Sequence, residues 1–311
     1  MNDSWDPGVV GVLMGGLSSE REISFKSGRA VAEALRSRGV QVEEIDVGRD
    51  IDQVLRDRSI DTAFPVLHGR WGEDGCIQGL LECMGIPYAG PSVAGAALTM
   101  DKVVTIHLLR GCGVPVPDGL VWTRDADPSG PAELPFPFPV VVKPVREGSS
   151  FGITIVRSHD ELAPALALAL ELDDRVLIEE CVPGPELTVG VLEEEALPVV
   201  EIAPKGGWFD FTRKYTKGLT EYHVPARIDA ELRDLVQGIA LDAARLTGCL
   251  DSCRVDIMGG GERGPRVLEV NTIPGMTGTS LLPMAASAVG VSFPDLCERL
   301  LRMARLRNGT R

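Results

Sequence analysis

The first hundred positions fall into short blocks of apolar and polar residues, and the change from one block to the next marks the elements. "VVGVLMGG" is a continuous apolar run closed by glycines, the pattern of a buried strand. Ser19 through Arg38 reads as a helix, "VQVEEIDV" and "TAFPVLHG" as two more strands, and "CIQGLLECMG" as a second helix. Strands alternating with helices predict a parallel sheet covered on both faces. Ligands of such sheets sit beyond the carboxyl ends of the strands. Two polar stretches fall there, "GGLSSERE" and "HGRWGEDG". In the first, Ser19 and Glu22 have capping-box spacing, which predicts Ser19 at the N-cap, Glu22 at N3 and Glu20 at N1, pointing outward. Gly-Gly before a helix N-terminus usually invites an anion. An acid at Glu20 spoils that site for phosphate and suits an ammonium instead.

The rhythm changes further along. A helix is predicted from about Met100 to Leu109, stopped by Gly111 and Gly113. The Pro-rich run "PSGPAELPFPFP" leads into the strand "VVVKPV", the loop "REGSSFG", the strand "ITIV", an Ala/Leu-rich helix over 160–172 and the strand "RVLIEE". "ELTVGVL" and "LPVVEIA" read as an antiparallel pair. After the polar segment "WFDFTRKYTKGLTEYHVP" come a helix over 229–247, a hairpin of "CRVDIM" and "RVLEVN", and a C-terminal helix. Boundaries near 98 and 182 divide the chain into 1–97, 98–181 and 182–311.

Composition narrows the classes. The 311 residues suffice for two or three domains. A formal charge of −14 argues against nucleic acid or an anionic membrane as partner, so an anionic ligand needs local cations. No apolar stretch has the length of a membrane span. The N-terminal residues lack a basic n-region and are expected not to be a signal peptide. Seven cysteines with no CxxC pair are expected to be reduced thiols in a cytoplasmic protein.

The candidate chemistry concentrates near the C-terminus, in "RVLEVNTIPGM". Glu269 and Asn271 interrupt an apolar strand two residues apart, so they share a face. Arg254 and Asp256 do the same on the preceding strand. Alone, an E-x-N pair is more often an exposed strand face. With Asp256 opposite, two carboxylates and an amide form a hard oxygen set suited to Mg²⁺ that also holds phosphates. "GGGERG" between the strands fits GxGxxG, but it joins two strands rather than a strand and a helix, and reads as a hairpin turn. Lys143 in "VVVKPV" and Lys102 inside a helix are candidate cations, although exposed positions would explain either. The "REGSSFG" loop offers backbone N–H groups and the hydroxyls of Ser149 and Ser150 for phosphates. Glu179 and Glu186 could accept from ribose hydroxyls, and backbone at 180–182 could pair with an adenine edge.

In combination these features resemble the ATP-grasp superfamily. "GGLSSEREIS", "HGRWGEDGCIQGLLECMGIPYAG", "TMDK", "VVKPVREGSSFG", "VLIEE", "GPELTV", "KYT", "RVDIM" and "EVNTIPGMTGTSLLPMAA" go further. In order and spacing, over essentially the whole chain, they look like the D-alanine–D-alanine ligase family. That resemblance implies a Rossmann-like N-terminal α/β domain followed by a two-lobed α+β ATP-grasp module. It implies ATP-dependent joining of two D-alanines through an acyl phosphate, with two Mg²⁺ (or Mn²⁺) as cofactors, in a cytoplasmic homodimer.

Residue by residue, the resemblance places Glu20 on the amino group of the first D-alanine, networked with Ser149 and Tyr215, and His68 near the same substrate. Arg254 and the Gly275 N–H would stabilise the oxyanion, and Ser280 with the Leu281 N–H would take the second carboxylate. Lys102, Lys143, Ser149, Ser150, Glu179, Glu180, Cys181, Val182, Glu186, Phe209, Lys214, Glu269 and Asn271 match the ATP site, and Asp256, Glu269 and Asn271 the metals. The segment 205–224 would be a lid. Tyr215 favours a dipeptide over a depsipeptide product. Glu180 departs from the lysine that some members carry beside the adenine. Two rivals stand beside this reading: a related ligase using another D-amino or D-hydroxy acid second, and a nucleotide-binding regulator without catalysis.

Overall fold

The computed structural model describes residues 5–127, 129–148, 151–204 and 219–307. Strands β1 (Val10–Met14), β2 (Val42–Asp46) and β3 (Thr62–Pro65) form a parallel sheet in the order β2-β1-β3, as the alternating pattern predicts. β1 is buried along its whole length, the state of a central parallel strand covered on both faces. Helices α1 (Arg21–Ser37), α2 (Ile51–Asp57) and α3 (Cys76–Met84) accompany it. Two buried serines fasten α1, one to the ends of β1 and β3 and one to the segment after the last strand of the chain. Ser24 Oγ accepts from Gly15 N at 2.9 Å and donates to Val66 O at 2.6 Å, and Ser27 Oγ accepts from Met276 N at 3.2 Å.

The capping box does not form. α1 begins at Arg21 with Glu20 at the N-cap and no side-chain cap bond, and the backbone N–H groups of Ile23 and Ser24 both reach Glu20 O. Ser18 takes the role expected of Ser19: its hydroxyl accepts from Glu20 N at 3.2 Å and donates to His68 O at 2.7 Å. The reason is tertiary. Ser18 ties the first βα turn to the turn after β3, and this turns the Glu20 side chain inward, where it is 6% exposed.

The helix predicted from about Met100 to Leu109 is α5 (Lys102–Gly111), and a further helix that the sequence did not predict, α4 (Val93–Met100), precedes it. Asp101 separates them, its carboxylate accepting from Val103 N and Val104 N at 3.1 Å. α4 is mostly apolar and gives no amphipathic signal in the sequence. The residues Val103, Ile106 and Leu109 of α5 join the core beneath the last sheet.

Strands β4 (Gly119–Thr123), β5 (Val140–Pro144), β6 (Thr154–Val156) and β7 (Arg175–Glu180) form an antiparallel sheet in the order β4-β7-β5-β6. Helix α6 (Leu162–Leu172) covers one face through Leu162, Leu166 and Ala169 against Val140, Val142, Val176 and Ile178. The opposite face carries Val141, Lys143, Leu177 and Glu179, and Leu177 belongs to the core of the following sheet. That face therefore looks toward the C-terminal part of the chain.

The third sheet is antiparallel, β11-β10-β8-β12-β13, formed by β8 (Glu186–Leu192), β10 (Val200–Pro204), β11 (Thr220–His223), β12 (Ser252–Met258) and β13 (Arg266–Asn271), with the short β9 (Glu195–Ala196) paired to β8. Helix α7 (Ala230–Leu246) buries Val236, Ala240, Ala243 and Ala244 against Val255, Ile257, Val267 and Val270. The single C-terminal helix of the sequence reading is two, α8 (Leu281–Ala288) and α9 (Phe293–Arg302), separated by Gly290 at φ +81°. α9 returns to pack on α1 and shares its core.

Candidate active site

The β12–β13 ribbon carries the centre of the site. Cross-strand register sets Arg254 against Asn271 and Asp256 against Glu269, so the four side chains share one face. A bulge lies between Asp256 and Ile257, with Leu268 the extra residue on β13. Strict alternation would put Val267 on the face of Glu269. The bulge lets Val267 pair with Ile257 in the core while Glu269 points out, a re-aiming typical of bulges beside active sites. On the other side of β12, Arg254 lies against Gly190 and Asp256 against Thr188. A Cβ on Gly190 would meet the Leu282 side chain at 2.8 Å. The missing side chain thus lets α8 settle next to Arg254.

Arg254, 5% exposed, forms a two-pronged ion pair with Asp256: Nε to Oδ1 and Nη2 to Oδ2, both at 2.8 Å. Thr188 Oγ1 donates to Asp256 Oδ1 at 2.5 Å. This fixes the plane of the guanidinium, which a flexible arginine would otherwise lose on binding. Asn271 Oδ1 is buried without a hydrogen-bond partner among the described residues. A buried amide oxygen without a donor is costly, and a cation is the partner it suits. Glu269, 35% exposed in its side chain, lies 3.7 Å from Lys102 Nζ. Among the described residues no three His, Cys, Asp or Glu side chains gather as a metal site. The fit rests instead on two carboxylates and the unpartnered amide oxygen, hard donors appropriate to Mg²⁺.

These residues open onto a cavity of about 430 Å³. Its walls include Glu20, His68, Lys102, Arg254, Glu269, Asn271, Gly275, Ser280 and Leu281, so predicted residues from both ends of the chain meet here. The Glu20 carboxylate is held closely. A Cβ on Gly148 would come within 2.9 Å of its Oε2, and one on Gly69 within 3.2 Å. Opposite, Ser280 is the N-cap of α8 with no side-chain cap bond. Its Oγ accepts from Thr277 N at 3.1 Å, and Leu281 is the first helical residue. A helix start with open N–H groups suits a carboxylate. Lys102 Nζ donates to Glu147 O at 2.6 Å, which draws the start of the Gly/Ser loop to the rim.

Glu73 and Tyr222 also line the cavity, and the sequence reading names neither. Glu73 Oε2 accepts from Gly69 N at 2.6 Å. Burial, reinforced by the Glu20 carboxylate, pushes its carboxyl up to about 8, with the Gly69 N–H pulling the other way. The stretch "HGRWGEDG" was the available signal, but nothing in one sequence says which of its acids turns inward.

The remaining predicted residues form a second group outside the cavity lining. Lys143 and Glu179, diagonal neighbours on β5 and β7, make an ion pair of 2.5 Å with side chains 7% and 2% exposed. Glu180, Cys181 and Val182 follow at the end of β7, and Glu186 opens β8 on the same face as Thr188 and Asp256. Asp256 itself does not line the cavity and reaches it through Arg254. Ser149, Ser150, Phe209, Lys214 and Tyr215, with most of the expected lid, lie outside the described residues.

The chain is similar to known proteins along most of its length. The model of the D-ala D-ala ligase C-terminus matches residues 108–302, and that of the N-terminus residues 48–91. A D-alanine–D-alanine ligase of Syntrophotalea carbinolica is 48% identical over 298 residues, covering 96% of each chain. The crystal structure of the Bacillus anthracis D-alanine–D-alanine ligase complexed with ATP superposes with a TM-score of 0.81 at 33% identity, covering 94% of this chain and 96% of that one. The VanG D-Ala:D-Ser ligase of Enterococcus faecalis gives a TM-score of 0.81 at 32% identity, covering 96% of this chain and 99% of that one. The ribbon, the cavity and these similarities agree: the chain belongs to the D-alanine–D-alanine ligase family, with the ATP-grasp fold.

Proposed function

We infer that this protein joins two D-alanines to D-alanyl-D-alanine at the expense of ATP, releasing ADP and phosphate, as a step toward peptidoglycan precursors. One observation carries the reading. Arg254, Glu269 and Asn271 of a single ribbon face the same cavity as the inward-turned Glu20 and the start of α8.

The roles are those the family resemblance implies, and the positions of the described residues support them. Glu20 holds the ammonium of the first D-alanine, and His68 lies beside it. The carboxylate of that alanine attacks the γ-phosphate of ATP, and Lys143, Lys214 and Arg254 balance the charge spread over the transferring group. Asp256, Glu269 and Asn271 would hold two divalent ions, Mg²⁺ or Mn²⁺, whose chemistry is further neutralisation of the phosphates. Lys102, Glu179, Glu186 and the 180–182 backbone bind the nucleotide, with Ser149, Ser150 and Phe209 assigned by resemblance. The second D-alanine places its carboxylate on Ser280 and the Leu281 N–H, and its amine attacks the acyl phosphate. Arg254 and the Gly275 N–H receive the resulting oxyanion. By resemblance Ser149 and Tyr215 belong with Glu20 in the network of the closed site, where exclusion of water would protect the acyl phosphate.

The proposal extends to a three-part division at 97/98 and 181/182, a cytoplasmic setting and a homodimer. No described helix is long and apolar enough to cross a membrane. Since a D-Ala:D-Ser ligase has the same fold, the scaffold does not decide the second substrate. Phosphate release with ATP, Mg²⁺ and D-alanine, alone and with D-serine or D-lactate, decides it, with products identified by mass. The reading expects one phosphate per D-alanyl-D-alanine and little mixed product. A dominant mixed product replaces it with the related-ligase reading, and no D-alanine-dependent release replaces it with a nucleotide-binding regulator.

A further inference from the structure

The turn "GGGERG", dismissed as a nucleotide motif in the sequence, sits against the segment that joins the two lobes. Between β7 and β8 the chain runs from Glu180 to Pro185, and the turn between β12 and β13 touches it at three places. Gly260 N donates to Pro183 O and Gly259 N to Pro185 O, both at 2.8 Å. Arg263 Nη1 pairs with Glu180 Oε2, and its Nη2 lies 3.4 Å from Asp118 Oδ2. Glu180 is meanwhile locked to the preceding strand from the other side. Its Oε1 accepts from Asp118 N at 3.1 Å, and its own N–H reaches Asp118 O at 2.9 Å.

The glycines are dictated by this contact. A Cβ on Gly259 would lie 2.6 Å from Pro185 Cδ. Gly184, at φ +107°, would meet Gly260 N at 2.9 Å. Only residues without side chains allow both turns to approach so closely. By resemblance some family members carry lysine at the position of Glu180, and a lysine there would face the Arg263 guanidinium.

We propose that the Gly259–Gly264 turn is a brace and that Arg263 is a positioning residue, acting through Glu180 to hold the 180–182 backbone in place for the nucleotide base. The proposal rests on the reading of that segment as part of the ATP site. Arg263 is exposed and does not line the cavity, so its effect should fall on nucleotide affinity rather than on chemistry. An exposed ion pair is worth up to about fivefold in an equilibrium.

Steady-state kinetics of the intact enzyme test this with Arg263→Ala, Arg263→Lys and, as an independent marker of the nucleotide site, Lys143→Ala. The brace predicts that Arg263→Ala raises the KM for ATP about two- to fivefold, leaving kcat and both D-alanine KM values within about twofold. It predicts that Arg263→Lys recovers most of the loss, and that the wild-type KM for ATP rises toward that of Arg263→Ala as salt is added. If the ATP KM of Arg263→Ala is unchanged while Lys143→Ala is impaired for ATP, the brace is wrong and the nucleotide site stands. Should neither variant affect ATP, the placement of the site itself fails. Equal losses in kcat and every KM, with a lower Tm, would reduce Arg263 to a structural role and overturn the proposal.

Discussion

The two halves of the site are finished to different degrees. Along the β7 wall the charges meet in ion pairs, Lys143 with Glu179 and Glu180 with Arg263, although Glu179 Oε1 has no hydrogen-bond partner among the described residues. Around the cavity Arg254 is paired as well, with Asp256, but other groups are left over. The Asn271 amide oxygen lacks a partner among the described residues, and burial, reinforced by the Glu20 carboxylate, pushes the Glu73 carboxyl up to about 8. A wall of ion pairs keeps its shape without ligand, and a binding nucleotide exchanges one set of partners for another. The cavity instead stores unfavourable electrostatics that a metal, an ammonium or a proton relieves. On the proposed assignment of the β7 wall to the nucleotide, this contrast suits a two-stage reaction, in which that wall is preformed and the reacting groups are completed by what binds.

The largest effect that tests the contrast is on turnover. Glu269→Gln keeps the volume and removes the charge, and it should lower kcat at least about 10³-fold. An unchanged Tm and circular dichroism spectrum would locate the loss in the site. Activity retained at saturating Mg²⁺ would remove the ribbon from the chemistry. Lys143→Ala separates the halves from the other side. Breaking a buried ion pair by deleting one partner costs about 3–5 kcal/mol, so urea unfolding should show a large drop together with a raised KM for ATP. A loss below about 1 kcal/mol would mean that the wall is not preformed.

A smaller effect concerns pH. The Glu73 carboxyl sits at about 8 in the folded protein against 4.5 ordinarily. Between those values the folded state holds a proton that the unfolded chain has released, so stability is full below about 4.5 and declines as pH rises through about 8. Glu73→Gln should flatten this decline in the metal-free protein, followed as Tm across that window. The same slope in wild type and variant would show that Glu73 does not titrate there.

How much of this was legible beforehand depends on the range of the interaction. β1 announces itself because a fully buried strand needs an apolar run, and Glu269 with Asn271 because period two leaves them no choice but a common face. The bulge at Leu268 was not readable, since it arises from pairing with β12 rather than from any local preference. Ser19 and Glu22 satisfy a local rule that the fold overrides: Ser18 instead bonds the turn after β3, fifty residues away. Glu73 and Arg263 were invisible for a related reason. Each acts through residues distant in sequence, Glu73 on Glu20 and Arg263 on Glu180, and a single chain read in order gives no hint of such neighbours. The family motifs supplied the long-range information that periodicity could not.

The central claim is that the β12–β13 face seats divalent ions, and counting them tests it most directly. Mn²⁺ titrated into wild type, Glu269→Gln and Asn271→Ala, with ATP and without D-alanine, can be followed by the loss of the free-ion electron paramagnetic resonance signal. The account predicts two ions per wild-type chain beyond those carried by the same excess of ATP without protein, and weaker or fewer sites in both variants. Equal binding by all three proteins would contradict it.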